Sequence, residues 1–268
     1  MSKTIGMCRL CKKNTLLCVS HIIPKSYTKY AKRSKQCSQM YMTGQDNVVQ
    51  DGLKLPFLCN DCEQLFCKYE VNFKKTIYDK LVEGTDNDVL LCDENIIRFL
   101  ILSIAWRYMQ YRLEEYEDKL MKMPEGVLDI LKSMPYYGLK IQDMIDNQIV
   151  EKWRIWLLSE SHKDIEKMQM HVIPIDKIEC LKNLKKYEIL SWSMGLDLFK
   201  IKNSDYVNLK LPGLILLCQY KGEANILDMF KVSNVINFTI NERDLTNEFW
   251  DVAIKNTEPL NKVLNRNV

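Results

Sequence analysis

The sequence predicts an α+β protein that begins with a small metal-binding unit. Two Cys-x-x-Cys pairs lie in the first quarter of the 268 residues, which is the pattern of a zinc site. Apolar residues then recur at helical spacing, and short apolar runs separated by turn residues follow. We therefore expect a zinc finger over residues 1–83 and an α+β body over residues 84–268. In the body we expect helices at about 93–165, mainly antiparallel strands at about 170–240 and a C-terminal helix at about 244–264.

The composition is that of a folded protein, because 47% of the residues are hydrophobic and 27% are charged. The first 20 residues carry scattered Lys and Arg among polar residues, so no secretion signal is visible. The longest apolar run near a helix, residues 96–104, is interrupted by Arg98 and is too short to span a bilayer. These observations predict a cytoplasmic protein without a membrane partner.

The finger elements follow one another in a recognisable order. The first seven residues are expected to be frayed, and Cys8 to Cys11 forms a tight turn, or knuckle, whose thiolates point at one ion. An apolar, β-branched run at 16–23 predicts a strand, and residues 53–58 predict a second strand at a sheet edge because they contain a proline. After the second knuckle, apolar spacing predicts a helix from about Asp61. This order is the layout of a treble-clef or ββα-metal finger.

The body elements are predicted from periodicity and turn signals. Helices are expected from Asp93 to about Met121, from 124 to 134, and from Gly138 to about Lys163. The Pro212-Gly213 pair predicts a tight turn between two strands. The expected strands are residues 171–175, 189–192, 196–201, 206–211, 214–220 and 235–240.

The two knuckles predict a structural zinc site. In an intracellular chain, paired cysteines indicate metal before disulfides. Four thiolates fill the tetrahedral positions of Zn²⁺ and leave none open for a substrate, so the ion is expected to be structural. The expected ligands are Cys8, Cys11, Cys59 and Cys62. The other six of the ten cysteines are expected to be small hydrophobes, and they are Cys18, Cys37, Cys67, Cys92, Cys180 and Cys218.

Charge is distributed unevenly along the chain. Residues 1–83 contain 14 Lys/Arg and 7 Asp/Glu, a net charge of +7, and the remainder has a net charge of −4. The loop at 25–51 interleaves cations with tyrosines, which suits phosphate contacts and base stacking. The predicted nucleic-acid-binding residues are Lys25, Lys29, Lys32, Arg33 and Lys35. The alternative is a solvated loop with a few packed tyrosines.

The run Val-Ser-His-Ile-Ile-Pro at 19–24, between two Cys-x-x-Cys knuckles, resembles the HNH endonuclease family. The resemblance covers roughly residues 8–75. It implies a ββα-metal fold in which His21 is the general base for phosphodiester hydrolysis, assisted by Mg²⁺ or Mn²⁺. It also implies that the nucleic-acid substrate is DNA. Residues 20–25, 49–54 and 58–66 are also similar to a group of uncharacterised bacterial HNH-like proteins, which implies a bacterial or phage setting and a role in anti-phage defence or in mobile-element biology.

Three positions depart from the family pattern. Ser20 stands where the family has an acidic metal ligand, and residues 52–55 contain no asparagine at the middle position. Glu63 occupies the last position, on the helix just after the second knuckle, where the family has His or Asn. Glu63 could bind a divalent ion, and Glu70 shares its helix face. The expected catalytic set is therefore His21, Glu63 and Glu70.

Three functions stay open from the sequence. The first is a metal-dependent endonuclease of the HNH type. The second is a zinc finger that binds nucleic acid without cleaving it. The third is an adaptor in which the finger is a scaffold and the acidic body binds a protein partner.

Overall fold

A computed structural model describes the chain in several stretches. They are residues 4–27, 40–41, 48–49, 52–83, 89–91, 94–121, 147–159, 168–174, 194–201, 204–222 and 235–237. Helices and antiparallel sheets are both present, which confirms the α+β class. No helix in these stretches combines the length and apolar character needed to cross a membrane.

The first sheet has three antiparallel strands, β1 (Thr4–Met7), β2 (Asn14–His21) and β5 (Lys54–Cys59), with β2 in the centre. The expectation of a frayed start is wrong for residues 4–7, because they pair with residues 14–17 of β2. This strand was not foreseen because four residues carry too little pattern to predict one. Strand β5 lies at the sheet edge, as its Pro56 predicted, and the register shifts between Cys18 and Val19 opposite it.

Helix α1 (Asn60–Phe73) follows β5 without a loop. It begins one residue before the predicted start, and Asp61 and Glu63 place negative charge in its first turn, where the helix dipole favours it. Its buried face carries Cys62, Phe66 and Phe73. A π-helical turn (Lys74–Tyr78) follows α1 directly, and the short helix α2 (Asp79–Glu83) follows that turn without a loop.

The two longer body helices are α3 (Glu94–Met121) and α4 (Asn147–Leu158). Helix α3 confirms the prediction from Asp93 to about Met121, displaced by one residue at its start. Helix α4 lies inside the predicted helix at 138–163, whose remaining residues are mostly outside the described part of the chain.

The second sheet has four antiparallel strands in the order β7 (Gln169–Pro174), β10 (Leu214–Lys221), β9 (Ser204–Leu211) and β8 (Gly195–Ile201). Strands β9 and β10 form the predicted hairpin, and Gly213 in its turn has a φ of 79°. The Tyr78 hydroxyl donates a hydrogen bond of 2.6 Å to the carbonyl of Pro212 in the same turn. The hairpin is thereby fastened to the end of the π-helical turn.

Two small antiparallel pairs are also present among the described residues: β3 (Met40–Tyr41) with β4 (Val48–Val49), and β6 (Val89–Leu91) with β11 (Val235–Asn237). Strand β11 covers the first part of the strand predicted at 235–240. The predicted helices at 124–134 and 244–264 and the predicted strand at 189–192 lie outside the described residues.

Aromatic side chains join α1 to α3. The rings of Tyr69 and Phe99 are stacked with centroids 3.7 Å apart, and Phe66 meets Phe99 edge-on at 5.7 Å. The ring centroids of Trp106 on α3 and Phe57 on β5 are 5.8 Å apart. Because the buried residues of the first sheet, the helices and the second sheet form one hydrophobic cluster, the finger elements share their core with the body elements. The predicted boundary near residue 83 stays a prediction.

Candidate metal centre and its surroundings

Four cysteines from three elements converge on one point. Cys8 and Cys11 lie in the turn between β1 and β2, Cys59 ends β5, and Cys62 lies in the first turn of α1. Their ligand atoms all lie within 4.8 Å of one another. The Sγ atoms of Cys11 and Cys59 are 3.7 Å apart. A tetrahedral ion with Zn–S bonds of about 2.3 Å would place its sulfurs about 3.8 Å apart, so the donor set and spacing are compatible with zinc.

The first knuckle is built by its backbone. The Cys8 N–H donates to the carbonyl of Lys13, and the Lys12 N–H donates to the carbonyl of Cys8, each at 2.9 Å. Lys12 adopts a positive φ of 61° to close this turn. Across the centre, the Cys59 N–H lies 3.3 Å from the Cys8 sulfur. Such N–H donors favour a thiolate and would hold the sulfur in position for an ion.

The pKa values of the Cys8 and Cys62 thiols are shifted in opposite directions. Burial raises the pKa of Cys8, but hydrogen bonds from the backbone at Cys11 and Cys59 outweigh burial and lower that pKa to about 7. Burial raises the pKa of Cys62, and neighbouring cysteines add to the rise. Three of the four cysteines are buried and Cys11 is partly buried, so four thiolates at this spacing would require a cation among them. A soft divalent ion meets that requirement.

Two arginines attach the first knuckle to the body helices. Arg9 makes a two-pronged ion pair with Glu114 of α3, at 2.8 and 3.1 Å. Arg154 of α4 donates to the carbonyl of Leu10 at 2.6 Å and pairs with Glu151 in its own helix. The metal centre is therefore held from both helices as well as by its own turn.

The structure places His21 at the end of β2, next to Ser20. His21 is half-buried and its Nε2 atom lies on the buried side. Ser20 is fully buried, and its hydroxyl donates a hydrogen bond of 2.6 Å to Oε2 of Glu63. The residues at two positions where the resemblance implies metal ligands are thus in direct contact.

Glu70 makes a contact that the sequence analysis did not foresee. Its carboxylate pairs with the guanidinium of Arg107 in α3, with 2.6 Å between Oε1 and Nη2. The Arg107 and Glu70 side chains are 2% and 16% exposed, so this pair is largely shielded from water. The expectation that Glu70 binds a divalent ion therefore competes with an ion pair already formed. The one signal for Arg107 in the sequence is a charge inside an otherwise apolar helical stretch.

Within the described stretches, the four cysteines are the only group of three or more His, Cys, Asp or Glu side chains close enough to share an ion. His21, Glu63 and Glu70 do not form such a group. Any divalent ion bound beside His21 would therefore take fewer than three of its ligands from this set.

The predicted basic loop is described only at its start. Lys25 is exposed, whereas Lys29, Lys32, Arg33 and Lys35 lie outside the described residues. Tyr27 is fully buried, and its ring meets that of Tyr78 edge-on with centroids 4.8 Å apart. For this tyrosine, the alternative of a packed side chain is correct.

Comparison of the chain with protein-family models, with curated proteins and with solved structures finds no match.

Proposed function

We propose that the chain is a nuclease of the HNH type with a structural zinc site. His21 would be the general base, and Glu63 would be the single protein carboxylate that holds a divalent ion. The four cysteines would bind Zn²⁺. The ion would hold the two strands and the helix together in the treble-clef or ββα-metal arrangement. The observation that carries the proposal is the Ser20–Glu63 contact of 2.6 Å, immediately beside His21. It brings together the strand and helix positions that the resemblance assigns to the site.

A single carboxylate is chemically sufficient for such a site. Mg²⁺ is usually held by one or two carboxylates together with substrate phosphates and water. A bound Mg²⁺ or Mn²⁺ would supply charge stabilisation at the scissile phosphate. Glu63 would orient the ion, and the Ser20 hydroxyl would fix the carboxylate. The imidazole of His21 would accept the proton of the attacking water.

The substrate is proposed to be DNA, from the resemblance and from the net charge of +7 over residues 1–83. The cations of the 25–35 segment would neutralise backbone phosphates. The biological setting implied by the resemblance, defence against phage, belongs to the same proposal.

The test is cleavage of single- and double-stranded DNA and RNA with Mg²⁺ or Mn²⁺. The wild type is expected to nick DNA, and His21→Ala and Glu63→Gln are expected to lose at least 100-fold in rate, within the range of general acid–base contributions. Retained zinc content and an unchanged circular dichroism spectrum show that both variants are folded. A wild type that is as inert as His21→Ala on every substrate contradicts the nuclease function.

A second function, nucleic-acid binding without cleavage, is favoured because Glu63 and Glu70 each already have a partner. Glu63 accepts from Ser20 and Glu70 pairs with Arg107, so a finger that binds nucleic acid without hydrolysis needs no rearrangement. It predicts binding whose affinity falls steeply with salt and is lost when Lys29, Lys32 and Arg33 are replaced together. Absence of nucleic-acid binding would leave the protein-adaptor function, with the acidic body as the docking surface.

A further inference from the structure

Arg107 joins three parts of the molecule around His21. It lies on α3, it is buried, and each nitrogen of its guanidinium has its own acceptor. Nη1 donates to the carbonyl of His21 at 2.9 Å, Nη2 to Glu70 at 2.6 Å, and Nε to the carbonyl of Ser103 at 3.2 Å. One side chain thus connects the end of β2, helix α1 and its own helix.

The direction of the guanidinium is tightly constrained. Its carbon lies 5.1 Å from the ring centroid of Phe66, on α1, so one surface of the fork rests on an aromatic side chain. The fork itself is planar and rigid, and its donors point along set directions. Moving the His21 carbonyl would therefore break a hydrogen bond to a group that cannot follow it.

His21 occupies a place where such support has a specific effect. It is the last residue of β2 and is paired with Lys54. Directly after it, the Ile22 N–H donates to the carbonyl of Leu53, and the chain then leaves the sheet. Strand pairing therefore fixes His21 on one side, and the Arg107 hydrogen bond restrains the main-chain carbonyl of the same residue.

We propose that Arg107 is a positioning residue that sets the main chain, and hence the imidazole, of His21 relative to Glu63. The inference rests on the proposed function in assigning a catalytic role to His21. It gives Glu70 a different role from metal binding, namely the counter-charge that allows a buried arginine. It also makes helix α3 part of the site, although the resemblance covers only roughly residues 8–75.

The variant Arg107→Lys separates positioning from simple charge compensation. A lysine keeps the positive charge for Glu70, but its single ammonium on a flexible stem cannot reproduce the fork that serves three acceptors. The matched control is Arg112→Lys, on the same helix, because Arg112 makes an ion pair of 2.9 Å with Glu115 that is more exposed than the Arg107–Glu70 pair. If Arg107→Lys does not fold, the double variant Arg107→Met with Glu70→Met removes the pair without leaving one buried charge alone.

Two readouts are measured on the full chain. In DNA cleavage, kcat is expected to fall about 10- to 100-fold with KM nearly unchanged, since a small misplacement can cost about 100-fold. In NMR spectra, the imidazole signals of His21, assigned with His21→Gln among the three histidines, are expected to shift in Arg107→Lys and to stay in place in Arg112→Lys.

The NMR readout keeps the two proposals apart. If the wild type cleaves nothing, the nuclease function fails, while a shifted His21 ring in Arg107→Lys still supports positioning. If the His21 signals of Arg107→Lys coincide with those of the wild type and only the melting temperature falls, Arg107 is a structural ion-pair partner and the inference is overturned.

Discussion

At position 213, the backbone conformation and the neighbouring side chain both favour glycine. The φ of 79° at Gly213 lies in the left-handed region, and a Cβ built on this residue would lie 3.1 and 3.2 Å from the two methyl carbons of Val82. Both the conformation and the contact therefore act against a side chain. The neighbouring Pro212 carbonyl accepts the Tyr78 hydroxyl, so the turn cannot shift without losing a buried hydrogen bond.

Gly213→Ala is expected to lower the free energy of unfolding by about 1–3 kcal/mol, because a left-handed non-glycine residue costs about 1–2 kcal/mol and the Val82 contact adds strain. The measurement is urea denaturation followed by circular dichroism. Gly195→Ala is the control, since a Cβ there meets nothing within 4 Å. Equal stability of both variants and the wild type would contradict this account of the turn.

At the scale of elements, the metal centre connects a turn, a strand end and a helix start. Cys59 and Cys62 enter from β5 and α1, and Cys8 and Cys11 from the turn after β1. None of these short elements buries much apolar surface alone, so an ion bound by the four cysteines would supply part of what holds them together.

Cys62→Ser is therefore expected to lose zinc and to lower the melting temperature, whereas Cys67→Ser is expected to keep one zinc ion per chain and the wild-type melting temperature. The reason is that Cys67 lies on the same helix but is exposed, outside the four-sulfur cluster. Zinc is measured by elemental mass spectrometry after dialysis, and unfolding by differential scanning calorimetry. Zinc retained at one per chain in Cys62→Ser would remove Cys62 from the ligand set.

At the scale of the whole molecule, the finger and body elements are packed against each other. Phe57 and Phe66 of the finger meet Trp106 and Phe99 of α3, and Arg9 reaches Glu114. Residues that would form the surface of a free finger are thus part of a common core.

A fragment of residues 1–83 is expected to bind zinc but to lack the native arrangement of β2, β5 and α1, because its buried aromatic face would be exposed to water. The amide NMR spectrum of the zinc-loaded fragment is expected to show narrow dispersion compared with the full chain. A well-dispersed spectrum whose finger signals match those of the full chain would show that the finger folds independently.

Local patterns predicted much of this arrangement, and distant contacts could not be predicted. The cysteine spacing indicates a metal cluster, the apolar periodicity locates α1 and α3, and Pro212-Gly213 indicates the hairpin. By contrast, Arg107 meets residues 37 and 86 positions away along the chain, and no periodicity carries that information. Ser20 and Glu63 were each identified as departures from a motif, but their contact depends on how β2 packs against α1.

The pairing of His21 with Lys54 brings together the two ends of the segment that joins β2 to β5. The two ends of the intervening segment leave and re-enter the sheet at adjacent positions, so its length is not constrained by the strands. Closing a flexible loop of twice the length costs only about 0.6 kcal/mol more. Because Tyr27 at the start of this segment is buried against Tyr78, an insertion placed after Tyr27 is expected to leave the four cysteines and the His21 position unchanged.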